Sequence, residues 1–173
     1  MQELITISGK QYAGKDLLAG LLLGKLSDKG FRKVPIAMGI KEEFAHLYGM
    51  TPHAIEAEKS LYRPGLIALG QRRRLAEPDY WLERVMSFPG PKIVSDVRLL
   101  HEYEFFKKQG AYMIRLNADE AVRAQRGTIV SANDPTECEL DQVEVWDAVL
   151  INNATVDALR LDLEQVLTAF TVA

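Results

Sequence analysis

Short apolar segments alternate along the chain with longer segments in which apolar residues recur every three or four positions. Residues 4–7 are apolar and rich in β-branched side chains, and Ser8-Gly9 ends them, so this segment predicts a buried strand. Residues 17–26 carry alanine, leucine and glycine at helical spacing, and Lys29-Gly30 indicates where this helix ends. The chain therefore begins with a strand, a short connection and a helix.

The same alternation continues toward the C-terminus. It predicts strands at residues 31–37, 92–95, 111–116 and 146–151, and helices at residues 40–48, 99–108, 118–126 and 155–170. Alternating strands and helices form a parallel sheet, because a crossover helix brings the chain back to start the next strand in the same direction. We therefore expect a three-layer α/β fold, with a parallel sheet of about five strands and helices on both faces.

One stretch departs from the alternation. Residues 40–88 have helical patterns but no strand, and they are rich in arginine between positions 53 and 84. Pro64 and Pro78 are predicted to begin or interrupt helices there. We interpret this stretch as a helical insertion between two strands, the usual place for a segment that binds substrate.

Composition limits the classes of protein that remain. The chain has 173 residues, 47% of them hydrophobic, which suits one domain over residues 1–173. A net charge of −3 argues against polymeric nucleic acid as a partner. Cys138 is the single cysteine, so no intrachain disulfide forms. Neither a membrane-spanning segment nor a signal peptide is evident, so a cytoplasmic protein without a membrane partner is expected.

A glycine pattern supplies the candidate chemistry. Gly9, Gly14 and Lys15 form the pattern G-x-x-x-x-G-K, directly after the first predicted strand and at the start of a predicted helix. Glycines let backbone N–H groups turn toward a phosphate, and the helix N-terminus adds partial positive charge. The alternative is a glycine-rich turn with a solvated lysine. The residues expected to bind the phosphates of ATP are Gly9, Lys10, Gln11, Tyr12, Ala13, Gly14, Lys15 and Asp16.

Asp16 stands where this pattern normally has serine or threonine, whose hydroxyl binds Mg²⁺. A carboxylate is a suitable oxygen ligand for Mg²⁺, either directly or through water, and both alternatives stay open. Asp16 also suits the first turn of a helix for electrostatic reasons alone.

Residues 9–16 resemble the phosphate loop of the phage-type deoxynucleoside monophosphate kinases and of the animal-type phosphomevalonate kinases. Ser95-Asp96-Val97-Arg98 is similar to a Ser-Asp-Val-Arg segment of that group, and residues 77–81 resemble its Asp-Pro-Asp-Tyr-Trp stretch, with Glu77 replacing the first Asp. Weaker similarities occur at Lys41-Glu42-Glu43, Thr136-Glu137, Leu140-Asp141 and Asn152-Asn153.

This resemblance implies the P-loop fold of nucleoside monophosphate kinases. It implies a core of residues 1–39, 89–117 and 141–173, an acceptor-binding insertion near 40–88 and a short lid near 118–140. It also implies transfer of the γ-phosphate of ATP to a phosphorylated acceptor, with Lys15 stabilising the transferred group. Arg123 and Arg126 then correspond to catalytic lid arginines, Lys41 to a substrate-binding lysine and Asn153 to part of the nucleotide site.

Two candidates come near the end of the strand predicted at 92–95, where parallel sheets bind their ligands. Arg98 is expected to fork onto the acceptor phosphate, and Asp96 to orient Mg²⁺-bound water or an acceptor hydroxyl. A surface ion pair is the alternative. Arg115 lies within a predicted strand and is expected to face an acidic partner instead.

Four arginines of the insertion, Arg63, Arg72, Arg73 and Arg74, cannot all face one ligand. Arg63 and Arg73 are our choices for the acceptor phosphate, although Arg72 and Arg74 remain alternatives to Arg73. Tyr80 and Trp81 could stack on a base, but for Trp81 we prefer the interpretation that it packs the insertion onto the core. The three histidines, at positions 46, 53 and 101, are interpreted as ordinary surface or helix residues.

We therefore predict a kinase that depends on ATP and Mg²⁺, with a (deoxy)nucleoside monophosphate as the first choice of acceptor. Phosphomevalonate is the alternative acceptor, and a nucleotide-binding protein without kinase activity is the alternative from another class. The base, the sugar and a homodimeric state are left open.

Overall fold

A computed structural model describes residues 3–172 of the chain. Their five strands form one sheet in the order β2-β3-β1-β4-β5, and every neighbouring pair is parallel. The strands are β1 (Leu4–Ser8), β2 (Arg32–Lys33), β3 (Lys92–Val97), β4 (Tyr112–Asn117) and β5 (Ala148–Ile151). The parallel α/β architecture predicted from the alternation is confirmed.

The helices connect these strands. They are α1 (Lys15–Leu26), α2 (Ile36–Tyr48), α3 (Pro52–Ala57), α4 (Lys59–Ala76), α5 (Tyr80–Ser87), α6 (Leu100–Lys108), α7 (Glu120–Arg126), α8 (Pro135–Cys138) and α9 (Val156–Val172). Single 3-10 turns cover Ser27–Lys29 and Glu139–Gln142. Within residues 3–172, no helix is both long and apolar enough to cross a membrane.

Strand β1 lies in the middle of the sheet and organises the core. All five of its residues are buried, as expected for a strand covered on both faces. Ile5 and Ile7 pack in one cluster with Leu18 and Leu22 of α1. At its carboxyl end, Ser8 is in register with Val97 of β3 and with Arg115 of β4. The loop after β1 is thereby placed beside the residues that follow β3.

The chain divides into two units. The first contains the chain up to Lys33 and from Gly90 onward, and the second is Val34–Pro89. The second unit holds α2 to α5 around a small core that includes Ile55 and Trp81. It encloses the stretch predicted as an insertion, and it begins at Val34 rather than at residue 40.

The predicted strand at 31–37 is wrong in its second half. Strand β2 contains only Arg32–Lys33, and helix α2 begins at Ile36. Pro35 is the cause, because it lacks the N–H that a strand ladder needs while its φ of −70° suits the residue before a helix.

Pro64 neither begins nor breaks a helix, contrary to the prediction. It lies inside α4, which continues through it to Ala76. The surrounding backbone near Ser60 and Lys59 is exposed, so water can bond the carbonyl group that loses its donor. The polar segment 127–139, predicted as a loop, also contains the short helix α8, which the side chain of Asp134 caps.

Candidate active site

The loop between β1 and α1 has the conformation that its glycines require. Gly14 has φ 101°, in the left-handed region, and a Cβ there would lie 2.4 Å from Nδ2 of Asn152. A Cβ on Gly9 would lie 2.5 Å from the carbonyl oxygen of Leu116 in β4. Both positions therefore demand glycine, and the loop runs close against the ends of β4 and β5.

Lys15 begins helix α1 and folds back over this loop. Its Nζ donates hydrogen bonds to the carbonyl oxygens of Gly9, at 2.6 Å, and of Lys10, at 2.9 Å. Burial, followed by the nearby Arg98 guanidinium, lowers the pKa of Lys15 to about 8. The ammonium group is therefore partly buried against the loop and close to a second cation.

Three carboxylates oppose this effect, since Glu137, Asp16 and Asp96 each raise the pKa of Lys15. Asp96 is the penultimate residue of β3 rather than a residue after the strand. The side chain of Asp16 is 87% exposed and forms an ion pair with Lys33. Asp16 and Asp96 thus both lie near Lys15, as a shared role in Mg²⁺ binding would require.

In the described part of the chain, no group of three or more histidine, cysteine, aspartate or glutamate side chains could hold a metal ion. Two carboxylates near a phosphate loop still suit Mg²⁺, which is commonly bound by one or two carboxylates together with substrate phosphates and water. The assignment of Asp16 and Asp96 to the metal therefore stays a prediction.

Arg98 follows β3 directly and is held at both its backbone and its side chain. Its N–H donates to Oε2 of Glu102 at 2.8 Å, at the start of α6. Its guanidinium Nη1 donates to Oε1 of Glu137 at 3.2 Å. Arg98 is therefore part of the same charged cluster as Lys15, as its predicted role requires.

Arg123 and Arg126, the predicted lid arginines, both contact the phosphate loop. Arg123 is 7% exposed and donates to the carbonyl oxygen of Gln11 at 3.3 Å. Arg126 donates to the carbonyl oxygens of Tyr12, at 3.4 Å, and Ala13, at 3.5 Å. Both arginines thus bind the carbonyl side of the loop, and a catalytic contact remains a prediction.

The segment after α7 is also bound to the loop. Lys10 forms an ion pair of 2.6 Å with Asp141, which also accepts from the buried Arg115 at 2.9 Å. The side chain of Gln11 and the backbone of Val130 exchange two hydrogen bonds, of 2.7 Å and 3.2 Å. The acidic partner predicted for Arg115 is therefore present, and Lys10 and Gln11 bind protein groups through their side chains.

Asn152 rather than Asn153 contacts the loop. Nδ2 of Asn152 donates to the carbonyl oxygen of Ala13 at 2.8 Å, in a buried position. Oδ1 of Asn153 instead accepts from the N–H of Asp119 at 2.8 Å, at the start of α7. A nucleotide contact by Asn153 stays a prediction, and the loop-supporting role belongs to its neighbour.

In the second unit, Arg73 is engaged by a carboxylate. Its Nε donates to Oε1 of the buried Glu43 at 2.7 Å, and Tyr80 donates to Oε2 of the same residue at 2.7 Å. The guanidinium also lies over the Tyr80 ring, 4.9 Å from its centroid. Arg73 therefore links α4 to α2 and α5, whatever its role toward an acceptor.

The other residues predicted to bind the acceptor differ in their surroundings. Lys41 forms an ion pair with Glu56, which also binds Lys59 at 3.0 Å. Arg63 is exposed on α4. Trp81 is only 1% exposed and donates to the carbonyl oxygen of Gly70 at 3.1 Å. The enclosed indole favours the packing role of Trp81 over stacking on a ligand.

Two residues of this site were not predicted. Glu137 and Asn152 occur in the sequence within segments, Thr136-Glu137 and Asn152-Asn153, that only the family resemblance marks. The resemblance therefore drew attention to these two segments. The spacing of residues along the chain, however, does not show that Glu137 or Asn152 contacts the phosphate loop.

A lysine enclosed at a glycine turn, between the central strand of a parallel sheet and the helix that follows it, is the arrangement that binds nucleotide phosphates in P-loop enzymes. The sheet order places β1, and so this loop, at the centre of the sheet. Arg98 supplies a second cation near Lys15, as the stabilisation of a transferred phosphoryl group requires. Fold and site together define the protein as a P-loop kinase, a phosphotransferase.

Sequence comparison narrows this class. The model of the phosphomevalonate kinase family matches residues 7–112, and the chain belongs to that family. The phosphomevalonate kinase of Drosophila melanogaster is 27% identical over 180 residues, which cover 94% of this chain and 95% of that protein.

Two further matches are more limited. A protein of Acanthamoeba polyphaga mimivirus, named provisionally as a deoxynucleotide monophosphate kinase, is 32% identical over 65 residues, or 38% of this chain and 30% of that protein. The crystal structure of TT1252 from Thermus thermophilus covers 97% of both chains, with a TM-score of 0.49 and 19% identity.

Proposed function

We propose that the protein transfers the γ-phosphate of ATP, with Mg²⁺, to phosphomevalonate. The observation that carries phosphoryl transfer is the position of Lys15 at the glycine turn after β1, where its Nζ donates to the carbonyl oxygens of Gly9 and Lys10. Arg98 adds a second cation, since its guanidinium lowers the pKa of Lys15 after burial does. Two cations at short range repel each other. Their closeness supports a site that bound anions neutralise, as a donor and an acceptor phosphate would.

The roles follow from position. Lys15 and the loop amides would hold the transferred phosphoryl group, and Arg98 would fork onto the acceptor phosphate. Asp16 and Asp96 would hold Mg²⁺, directly or through water. The ion, when bound, would neutralise charge on the nucleotide phosphates.

The choice of acceptor rests on two observations. The relative matched over nearly the whole chain is a phosphomevalonate kinase. Tyr80 and Trp81, the two aromatic residues of the stretch 77–81, are engaged by the protein, because Trp81 is enclosed and the Arg73 guanidinium lies over the Tyr80 ring. An acceptor without a base is therefore favoured. Lys41, Arg63 and Arg73 are the predicted acceptor-binding cations of the second unit, and Lys41 and Arg73 would exchange the carboxylates of Glu56 and Glu43 for the acceptor.

A (deoxy)nucleoside monophosphate is the second candidate. The local match to the mimivirus protein, 32% over 65 residues, favours it. It ranks below phosphomevalonate because this match covers only 38% of the chain and because Tyr80 and Trp81 are engaged by other groups of the protein.

The test is ATP consumption by the purified protein with phosphomevalonate, with each common nucleoside and deoxynucleoside monophosphate, and without acceptor. We expect stimulation by phosphomevalonate alone, with a diphosphate product visible by phosphorus NMR. Lys15→Ala should lower turnover by roughly 100-fold or more. Lys25→Ala, on the same helix in an exposed ion pair with Glu164, is the matched control and should leave turnover unchanged.

Each result has a distinct consequence. Stimulation by a nucleoside monophosphate in place of phosphomevalonate would reassign the acceptor. Tight ATP binding without stimulation by any acceptor would favour a nucleotide-binding protein instead. Full turnover in Lys15→Ala would remove the phosphate loop from the mechanism.

A further inference from the structure

Glu137 places a buried negative charge beside a site built for anions. Its side chain is 3% exposed, and it lies close enough to Lys15 to raise the pKa of that residue. A carboxylate in this position repels any phosphate that binds nearby. It also costs desolvation energy unless it is paired and hydrogen-bonded. Its presence therefore needs a compensating role.

The two oxygens of Glu137 join two different elements. Oε2 accepts from the backbone N–H of Gln11, in the phosphate loop, at 2.8 Å. Oε1 accepts from Nη1 of Arg98, directly after β3, at 3.2 Å. One carboxylate thereby sets the distance between the loop that follows β1 and the guanidinium that follows β3.

The surroundings hold Glu137 firmly in this position. Asp134 caps α8 by accepting from the N–H of Thr136 at 2.9 Å. Glu139 accepts from the N–H of Leu100 at 2.6 Å, which fastens the next turn to the start of α6. Contacts on both sides of Glu137 indicate a fixed support rather than a side chain that leaves when a phosphate arrives.

We propose that Glu137 is a positioning residue for phosphoryl transfer, which holds the Arg98 guanidinium against the phosphate loop in one orientation. The proposal rests on the proposed function, in which Arg98 binds the acceptor phosphate. Glu137 acts through Arg98 and touches neither substrate. Its benefit lies in orientation, and its electrostatic effect on phosphate affinity is unfavourable.

Because Glu137 orients Arg98 but repels phosphate, its replacement should change kcat and KM in different ways. Glu137→Gln keeps the size of the side chain and an oxygen for the Gln11 N–H, but removes the charge that holds Arg98. We expect kcat to fall by roughly 10- to 100-fold, since misplaced groups cost rates of this order. The KM of the acceptor should stay unchanged or fall, because a repulsive charge is gone. Partial unfolding would also lower the apparent kcat at an unchanged KM, so kcat is calculated for the folded fraction that thermal unfolding gives at the assay temperature.

Two controls isolate the pathway through Arg98. Glu164→Gln makes the same change in an exposed ion pair of the same unit and should leave kcat unchanged. Adding Glu137→Gln to Arg98→Ala should cause no further loss of kcat, because the residue it positions is already absent. Additive losses in the double variant, or a raised acceptor KM with unchanged kcat, would overturn the proposal.

A binding measurement works without turnover. Titration calorimetry with inorganic phosphate should show that Glu137→Gln binds phosphate at least as tightly as the wild type, and that Arg98→Ala binds it more weakly. Weaker binding in Glu137→Gln would overturn the positioning role. If no acceptor stimulates the wild type, the proposed function fails, while this titration still decides whether the carboxylate supports or opposes the anion site.

Discussion

The side-chain amide of Asn152 donates a hydrogen bond to the carbonyl oxygen of Ala13, with 2.8 Å between Nδ2 and the oxygen. Asn152 directly follows β5 and is 4% exposed. The same Nδ2 lies 2.4 Å from the position that a Cβ on Gly14 would take. Asn152 therefore supports the loop on its carbonyl side and excludes every side chain at Gly14.

Asn152→Ala should weaken both the fold and nucleotide binding. The carbonyl group of Ala13 would lose a buried partner, which costs about 1–3 kcal/mol of unfolding free energy. The loop would also lose a support that orients its N–H groups, so the KM of ATP should rise. Urea unfolding and initial-rate kinetics measure the two effects. Asn133→Ala, at an exposed position, is the control, and equal behaviour of the two variants would contradict the supporting role.

Gly14→Ala and Gly20→Ala should have opposite effects. At Gly14 the φ of 101° and the contact with Asn152 oppose any Cβ, so we expect lower stability and lost ATP binding. Gly20 lies within α1 with open space around it, so alanine should add up to about 1 kcal/mol of stability. Thermal unfolding and ATP titration check both. Normal ATP binding by Gly14→Ala would show that the loop tolerates another conformation.

Much of the sheet was predictable because its signals are local. Strands β1, β3 and β4 are short apolar segments that glycine or polar residues end, and their alternation with helices indicated parallel pairing. Strand β2 was overestimated because its apolar pattern continues past Pro35, where the backbone can no longer pair. The phosphate loop was predictable for the same local reason, since Gly9, Gly14 and Lys15 are close in sequence.

The supports of the site could not be found in this way. The contact from Gln11 to Glu137 spans 126 positions, and the contact from Asn152 to Ala13 spans 139. Periodicity carries no information about such pairs, because they depend on how the sheet brings distant loops together. The hydrogen bond from Arg73 to Glu43 could not be predicted for a related reason. Which of the adjacent residues Arg72, Arg73 and Arg74 makes it depends on the helix that packs opposite.

The Glu43 carboxylate makes the stability of the second unit dependent on pH. Burial alone raises the pKa of Glu43, but hydrogen bonds from Tyr80 and Arg73 lower it below its ordinary value of 4.5. A lowered pKa in the folded state means that this stabilisation is present above pH 4.5 and is lost as the pH falls through the folded-state pKa.

Tyr80→Phe removes one of these hydrogen bonds. We expect it to lower the unfolding free energy by about 1.5–3 kcal/mol near pH 7, since the bond is made to a charged group. The difference from the wild type should shrink as the pH falls below 4.5 and through the lowered folded-state pKa of Glu43. Urea unfolding between neutral and acidic pH measures it. Tyr48→Phe, at a ring that is 65% exposed, is the control. A difference independent of pH would contradict the role of the carboxylate.

Pro64→Ala should stabilise the protein. Pro64 lies in the interior of α4, where its missing N–H leaves the carbonyl group of Ser60 without the usual helical donor. The side chain is exposed, so alanine sacrifices little packing while it restores a donor. The unfolding free energy should rise by up to about 3 kcal/mol, the difference between proline and alanine inside a helix.

Pro52→Ala is the matched contrast, because Pro52 stands in the first turn of α3, where proline is favourable, and its replacement should bring no gain. Urea unfolding of both variants decides the matter: equal changes in the two would mean that α4 has already adapted its backbone to the proline.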